Sequence, residues 1–279
     1  MSSPTNPFDQ QKPIPGVKHI IAVSAGKGGV GKSTVATNLA LALSKKYKVG
    51  LLDADIYGPS IPRMMGALGQ KPQVTAENRI EPLVRYGMKL MSIGFLIEES
   101  AAVVWRGPML FKAMDQFFRD VNWGELDFLL VDLPPGTGDI QLSLAQKVPV
   151  SGAVAVSTPQ NIALIDVKKA IDMWKRTGVK MLGVIENMSY LTLPDGTRME
   201  IFGRGGGEKL AALGGVPMLG FIPMDERVRA GGDIGTPIVI SDPESTSAKV
   251  FAEISEKIAA GLSVAAFNNS EPMTIQIEG

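Results

Sequence analysis

The stretch at residues 23–34, VSAGKGGVGKST, constrains the fold of this 279-residue chain more than any other part of it. It follows a β-type run at residues 20–23 and leads into apolar residues spaced i, i+4, i+7 and i+8, which is typical of one helix face. A Gly-x-x-x-x-Gly-Lys-Ser motif at a strand-to-helix turn is the pattern of a phosphate-binding loop. The stretch therefore predicts a nucleotide site. The alternative, a glycine-rich turn before a helix, accounts for less of the motif.

The residue types in this loop suit phosphate binding. Glycines let consecutive backbone N–H groups point at phosphate oxygens without an intervening Cβ, and the following helix adds the positive end of its dipole. We expect Lys32 to reach the β- and γ-phosphates and the Ser33 hydroxyl to help hold Mg²⁺. The predicted nucleotide-binding residues of the loop are Gly26, Lys27, Gly28, Gly29, Val30, Gly31, Lys32, Ser33 and Thr34.

Two short apolar runs end in carboxylates. Residues 48–52 lead into Asp53 and Asp55, and residues 128–131 lead into Asp132, which has the form of a Walker B strand. Parallel strands of an open α/β sheet bring their carboxyl ends to the ligand crevice. We therefore predict that Asp53 and Asp132, with Ser33, hold Mg²⁺. Solvated loop acids at 53 and 55 are the alternative, and the loop at 133–139 is predicted to be a switch that senses the γ-phosphate.

The remaining pattern alternates strands with helices. We predict strands at residues 153–158, 181–187 and 217–223, a hairpin or edge strands at 83–93, and helices at 159–177 and 246–260. A helix introduced by Pro108 should carry a core-facing or dimer-facing apolar stripe, and Arg106 before it is a phosphate or interface candidate. The fold class is thus α/β, a mostly parallel, doubly wound sheet with helices on both faces. The predicted organisation is a flexible arm at 1–16, a P-loop ATPase domain at 17–262 and a flexible tail at 263–279.

Composition limits the partners and the metal chemistry. Lys and Arg total 28 against 28 Asp and Glu, which argues against nucleic acid or an anionic membrane as a partner. The sequence has neither an apolar run of about 18 residues nor a signal-peptide h-region, so we expect a cytoplasmic protein. It contains no cysteine and one histidine, His19, which we interpret as structural. One chain therefore supplies no thiolate set for a metal or cluster.

The second lysine of the loop, Lys27 in GKGGVGKS, resembles the deviant Walker A loop of the SIMIBI ATPases, which include MinD, ParA and the nitrogenase iron protein. The resemblance implies that Lys27 crosses a dimer interface to the partner's nucleotide and stabilises the transferring phosphoryl group. Strings at 53–62 (DADIYGPSIP), 132–139 (DLPPGTGD) and 186–190 (ENMSY) look more narrowly like the Mrp/ApbC iron–sulfur cluster carrier ATPases, as do shorter matches at 105–108, 157–160 and 201–203.

This resemblance, over roughly residues 17–260, implies a homodimer that binds ATP and Mg²⁺ and serves iron–sulfur apoproteins or assembly proteins. It implies ATP hydrolysis with Lys27, Lys32 and Asp55 as catalytic residues, Asp55 orienting water. It also assigns Asn187 to adenine, a role that suits an amide with one donor and one acceptor edge.

The chain departs from that family between residues 190 and 201. Carriers usually have a Cys-x-x-Cys there, through which two subunits bridge one [4Fe-4S] cluster, whereas Leu193 and Gly196 stand at the aligned positions. The cluster expected from the family thus has no ligands in this chain, and 194–196 is predicted to be a turn, the tip of a hairpin. Two further hypotheses stay open: a ParA/MinD-like positioning ATPase, and a scaffold that binds ATP but scarcely hydrolyses it.

Overall fold

The structure is a computed structural model that describes residues 11–96 and 107–269. Within those ranges the strands are β1 (Val17–Ala25), β2 (Val49–Asp53), β3 (Gln73–Val74), β4 (Ile80–Glu81), β5 (Leu83–Arg85), β6 (Met88–Ser92), β7 (Leu126–Asp132), β8 (Gly152–Ser157), β9 (Met181–Glu186), β10 (Leu191–Thr192), β11 (Arg198–Met199) and β12 (Met218–Phe221). The α-helices are α1 (Lys32–Ser44), α2 (Ile61–Met64), α3 (Gly107–Arg119), α4 (Asp139–Lys147), α5 (Asn161–Arg176), α6 (Gly206–Gly214), α7 (Glu226–Ile234), α8 (Ile238–Ser241) and α9 (Thr246–Asn269).

Eight of these strands form one sheet in the order β12-β9-β8-β1-β7-β2-β6-β5. Each neighbouring pair is parallel except β5 and β6, which form an antiparallel hairpin at one edge. The hairpin turn contains Tyr86 and Gly87, both with positive φ, as a two-residue type I′ turn requires. The predicted α/β sheet and its edge hairpin are therefore confirmed.

The helices contact one another as well as the sheet: α1 contacts α2, α8 and α9, α3 contacts α4, and α5 contacts α6. Strands covered on both faces read as nearly continuous apolar runs, because neither face meets water. The wholly buried residues of β2, β8 and β9 show this pattern.

The strand register brings the predicted site residues together. Strand β1 lies between β8 and β7, so the order of the sheet reverses at the strand that carries the phosphate-binding loop. Val23 of β1 pairs with Asp132, Asp132 pairs with Asp53, and Asp53 pairs with Ser92 of β6. The carboxyl ends of four adjacent strands, β1, β7, β2 and β6, therefore line one edge beside the loop.

The described structure extends into both segments that were predicted to be flexible. Residues 11–16, assigned to a flexible arm, lie against the body of the protein: Ile14 is buried and the Lys12 N–H donates to the Lys147 carbonyl at 3.0 Å. At the other end α9 continues to Asn269, whereas the sequence predicted its end near residue 260 and a tail from 263. The last helix therefore runs into the residues that were assigned to the tail.

Other expectations have simple outcomes. His19 stacks on Phe128 with 5.6 Å between ring centroids, in agreement with a structural role. In α3, Met114, Phe117 and Phe118 are buried in the core. Their burial agrees with the core-facing interpretation of the apolar stripe predicted after Pro108. Arg106 lies outside the described residues. Among the described helices, none is long and apolar enough to cross a membrane.

Candidate nucleotide site

The glycine-rich loop is tightly packed at its two ends and open in the middle. A Cβ on Gly26 would lie 2.3 Å from the backbone of α5 at Asp166, and a Cβ on Gly31 would lie 2.3 Å from Nδ2 of Asn187. By contrast, a Cβ on Gly28 or Gly29 would meet nothing within 4 Å. The loop is therefore fixed by close packing at its two ends, while its central backbone faces open space, as a phosphate cradle requires.

Helix α1 begins directly at Lys32. Gly31 precedes it in the left-handed conformation, with φ 79° and ψ 25°, and no side chain caps the first turn. Uncapped N–H groups at a helix start, together with the helix dipole, favour an anion. Local geometry thus agrees with phosphate binding at the predicted residues.

Lys32 is the centre of a buried charge cluster. Its Nζ lies 2.7 Å from Oδ1 of Asp132, 3.4 Å from Oδ2 of Asp55 and 3.3 Å from the Ser33 hydroxyl. Burial acts to lower the pKa of Lys32, but the charges of Asp132 and Asp55 outweigh it and raise the pKa above its usual value. The lysine is therefore a fixed positive charge, surrounded by the residues that the sequence assigned to the phosphates, magnesium and water.

The residues around Asp132 fit a magnesium ion. Asp132 is fully buried, and its Oδ2 has no hydrogen-bond partner among the described residues. Burial raises the pKa of Asp132, and the ion pair with Lys32 only partly opposes this. Three carboxylates, those of Asp53, Asp55 and Asp132, share the neighbourhood of this one lysine. An oxygen-liganded divalent cation, with the Ser33 hydroxyl as a second ligand, would satisfy the orphaned oxygen and offset the excess negative charge.

Asp53 contacts the backbone of the loop that follows β2. Its Oδ1 accepts from the Asp55 N–H at 3.1 Å, and its Oδ2 accepts from the Ile61 N–H at 3.2 Å and the Ser92 hydroxyl at 3.1 Å. Burial, followed by the charge of Asp132, raises the pKa of Asp53 to about 8. These bonds fasten the loop at residues 54–61, so magnesium coordination by Asp53 stays a prediction and loop positioning is what its contacts support.

Asp55 lies where a water-orienting carboxylate would be needed. Its side chain is mostly buried but still reaches solvent, beside Lys32, and its Oδ1 accepts from the Tyr57 N–H at 3.2 Å. In an extended segment, residues two apart point the same way, but the chain leaves β2 at Asp53. Asp55 therefore turns toward the loop lysine while Asp53 stays inside the sheet edge.

Lys27 has a contact within its own chain. Its Nζ lies 3.4 Å from Oε1 of Gln160, the residue that precedes α5. The side chain is half-buried and stands at the open side of the glycine loop. Its predicted reach across a dimer interface remains a prediction.

Asn187 supports the loop. It is buried at the end of β9, and its Nδ2 donates to the Val30 carbonyl at 2.9 Å. Its backbone N–H donates to the Ser157 carbonyl at 2.8 Å. The predicted contact with adenine is untested, but the amide already contributes to the site by bracing the backbone of the phosphate-binding loop.

Sequence reasoning missed two supporting residues. Gln141, buried in the first turn of α4, donates to the carbonyls of Pro134 at 2.7 Å and Gly136 at 3.2 Å, and so holds the predicted switch loop. Ser92 donates to Asp53. A serine at the end of an apolar strand was a usable signal for Ser92. No comparable sequence signal marks Gln141, because an amide side chain in a helix is usually solvated.

The segment that replaces the expected cysteines is a small hairpin. Strands β10 and β11 pair antiparallel, and the Leu193 N–H donates to the Thr197 carbonyl at 2.8 Å. Leu193 and Gly196 carry no iron ligand, and the sequence contains no cysteine. The predicted turn at 194–196 is confirmed, and thiolate ligation does not fit this chain.

The fold and this site define a P-loop nucleotide-binding protein. Residues 16–259 match the family described as ParA, "NUBPL iron-transfer P-loop NTPase", and the chain belongs to that family.

Similar proteins agree with that assignment. The "Iron-sulfur cluster carrier protein" of Aquifex aeolicus is 52% identical over 91% of this chain and 70% of that protein. The "Iron-sulfur cluster transfer protein NUBPL" of Mus musculus is 48% identical over 91% of this chain and 80% of its own length. An Archaeoglobus fulgidus nucleotide-binding protein solved with ADP gives a TM-score of 0.69 at 42% identity, covering 78% of this chain and 87% of that one. The septum site-determining protein MinD of Pyrococcus horikoshii, with a TM-score of 0.66 at 23% identity over 91% of this chain and 99% of that one, supports the fold alone.

Proposed function

We propose that this chain is a homodimeric, magnesium-dependent ATPase of the cytoplasm that acts in the assembly or transfer of iron–sulfur clusters to apoproteins. The observation that carries the ATPase part is the convergence of Lys32, Asp132 and Asp55 directly behind an open glycine loop. A phosphate chain in that loop would contact Lys32. The lysine would then give up its ion pair with Asp55 and bind phosphate oxygens instead.

Each residue of the site has a separate task in this proposal. Lys32 and the loop N–H groups bind the β- and γ-phosphates, and Asp55, released by Lys32, orients the attacking water. Ser33 and Asp132 would hold Mg²⁺, which supplies charge neutralisation to the phosphates when bound. Lys27 leaves Gln160 and stabilises charge on the transferring group of the second subunit.

The iron–sulfur part of the proposal assigns the cluster to a partner. Relatives named as cluster carrier and transfer proteins at about half identity support a role in cluster delivery. Since the chain has no cysteine, we propose that an assembly protein or the client holds the cluster while this chain supplies the nucleotide-driven step. MinD-like neighbours at 23% identity lend no weight to a positioning role.

The first test is steady-state ATP hydrolysis, measured with ATP binding by calorimetry, in the wild type and Lys27→Ala. We expect wild-type turnover, and in the variant retained binding with turnover reduced about a hundredfold, the scale of losing one group that stabilises transition-state charge. Lys45→Ala, which removes an exposed lysine after α1, is the matched control. Unchanged turnover in Lys27→Ala would reject the trans-acting lysine, and an inactive wild type would reject the ATPase.

The second test is anaerobic reconstitution with ferrous iron and sulfide. The pure protein should give no stable chromophore and no stoichiometric iron. A stoichiometric chromophore would show non-cysteine ligation and would overturn the assignment of the cluster to a partner, without touching the ATPase proposal.

A further inference from the structure

A cavity of about 710 Å³ opens beside the loop that follows β2. Its walls come from residues 56–60, 68–71 and 94–96, with Pro62 and Arg63 of α2 between them. Three large apolar side chains at this cavity are exposed: Tyr57 at 84%, Leu68 at 58% and Leu96 at 40%. Exposed apolar side chains gathered around a concavity mark interaction sites, whereas scattered ones need no explanation.

The charged side chains described at the cavity lining are all positive. Among the described residues that line it, the charged ones are Arg63 and Lys71, both cationic and both exposed. The chain as a whole carries equal numbers of acidic and basic residues, so the positive charge at the cavity is a local feature. An occupant with carboxylates around an apolar centre would be complementary to it.

We propose that this cavity docks a segment of a partner protein that presents a large apolar side chain flanked by acidic residues. The apolar side chain fills the space between Tyr57, Leu68 and Leu96, and the flanking carboxylates pair with Arg63 and Lys71. Apolar anchors of this kind carry most of the binding energy of peptide sites, while rim charges give orientation and selectivity.

Hydrogen bonds join the wall of the cavity to the candidate nucleotide site. The Tyr57 N–H donates to Asp55, which pairs with Lys32 at 3.4 Å, and the Ile61 N–H donates to Asp53 at 3.2 Å. A nucleotide that draws Lys32 away from Asp55 therefore releases one support of this wall. Docking and nucleotide binding would therefore share this support, and any coupling through it would be reciprocal. This second statement rests on the proposed nucleotide function, whereas docking itself does not.

The test is fluorescence anisotropy with a short fluorescein-labelled peptide in which leucine and phenylalanine are flanked by glutamates. A matched peptide with lysines in place of glutamates probes charge. The variants are Leu68→Asp and Arg63→Glu. Leu213→Asp is the control, because Leu213 on α6 is 64% exposed, similar to Leu68, but lies outside the cavity lining.

We expect saturable binding of the acidic peptide to the wild type and to Leu213→Asp, and at least about tenfold weaker binding to Leu68→Asp, the scale of losing one buried leucine contact. Arg63→Glu should weaken the acidic peptide several-fold and favour the lysine peptide. No binding to the wild type, equal binding of both peptides, or undiminished binding to Leu68→Asp would overturn the proposal.

Two other occupants have distinct outcomes. A concentration-dependent dimer in sedimentation that Leu68→Asp abolishes, without peptide binding, would assign the cavity to a second copy and overturn the proposal. Filling by another segment of the same chain would leave the wild type unable to bind the peptide, with no dimer. The peptide measurement is made without nucleotide, so its failure is distinguishable from failure of the ATPase.

Discussion

Replacing Gly31 by alanine would place a methyl group 2.3 Å from Nδ2 of Asn187, in a residue whose φ is +79°. Because real Cβ atoms essentially never approach within 3.0 Å, either the loop shifts or the amide moves and breaks its 2.9 Å bond to Val30. The left-handed conformation costs a non-glycine residue about 1–2 kcal/mol. Loss of the bond adds about 1 kcal/mol. We expect Gly31→Ala to lower the free energy of unfolding by about 2–3 kcal/mol.

Two neighbouring glycines separate these contributions. Gly29 has the same φ of +79° but open space around its Cβ position, and Gly28 has open space and lies outside the left-handed region. Gly28→Ala should therefore cost least, Gly29→Ala should add the conformational strain, and Gly31→Ala should add the clash. The assay is urea unfolding without nucleotide, followed by the fluorescence of the buried Trp123 and Trp174.

A double-mutant cycle tests the stated cause directly. In an Asn187→Ala background the methyl group at position 31 meets no amide, so Gly31→Ala should cost about 1 kcal/mol less than in the wild type. Equal losses of unfolding free energy for Gly31→Ala and Gly29→Ala, or a strictly additive cycle, would refute the idea that the Asn187 amide leaves no room for a side chain at position 31.

Two further predictions concern residues away from the phosphates. Burial acts to raise the pKa of Asp225, but hydrogen bonds from Arg227 and Ser247 lower it overall, so its stabilising charge is present above its unfolded pKa and is lost as pH falls through the folded value. Asp225→Asn should lower unfolding stability at pH 7 by about 1 kcal/mol or less. In urea titrations that difference should shrink progressively as the pH falls below the usual carboxyl pKa, and a difference that does not change with pH would exclude the charge as its cause. Gln141→Met removes both donors to the switch loop, which should cost about 1–2 kcal/mol in unfolding and reduce turnover more than ATP affinity. A change in affinity alone, in the paired binding and rate assays, would contradict loop positioning.

The sequence predicted the elements well where short apolar runs end in distinctive residues. The loop before α1 and the acids that end β2 and β7 could be located because parallel strands carry ligands at their carboxyl ends. Strand order was beyond the same reasoning: the placement of β7 between β1 and β2, which sets Asp132 beside Asp53, depends on long-range pairing.

Two features that spacing did not predict have local physical causes. The last helix was predicted to end near residue 260, yet α9 continues through Gly261 to Asn269, and Lys180 donates to the Gly261 carbonyl at 3.1 Å from outside the helix. The acids at 53 and 55 were predicted to have different roles, but their directions were not predicted: Asp53 remains in the sheet and fastens a loop, whereas Asp55 leaves the sheet and meets Lys32. Side-chain direction at a strand end is decided by tertiary contacts that spacing does not encode.

The segment after β9 explains how a nucleotide site can persist in a chain without cluster ligands. Asn187 supports the phosphate-binding loop, while the preceding residue, Glu186, is buried and accepts from the Ser189 hydroxyl at 2.5 Å and the Gly207 N–H at 2.6 Å. One short stretch therefore joins the loop to the start of α6 and to the hairpin that stands where cysteines are expected. These contacts use an amide, a carboxylate and backbone groups, none of which depends on a thiolate. A nucleotide that moves Asn187 would act on this stretch, and none of the contacts that join it to α6 needs a cysteine.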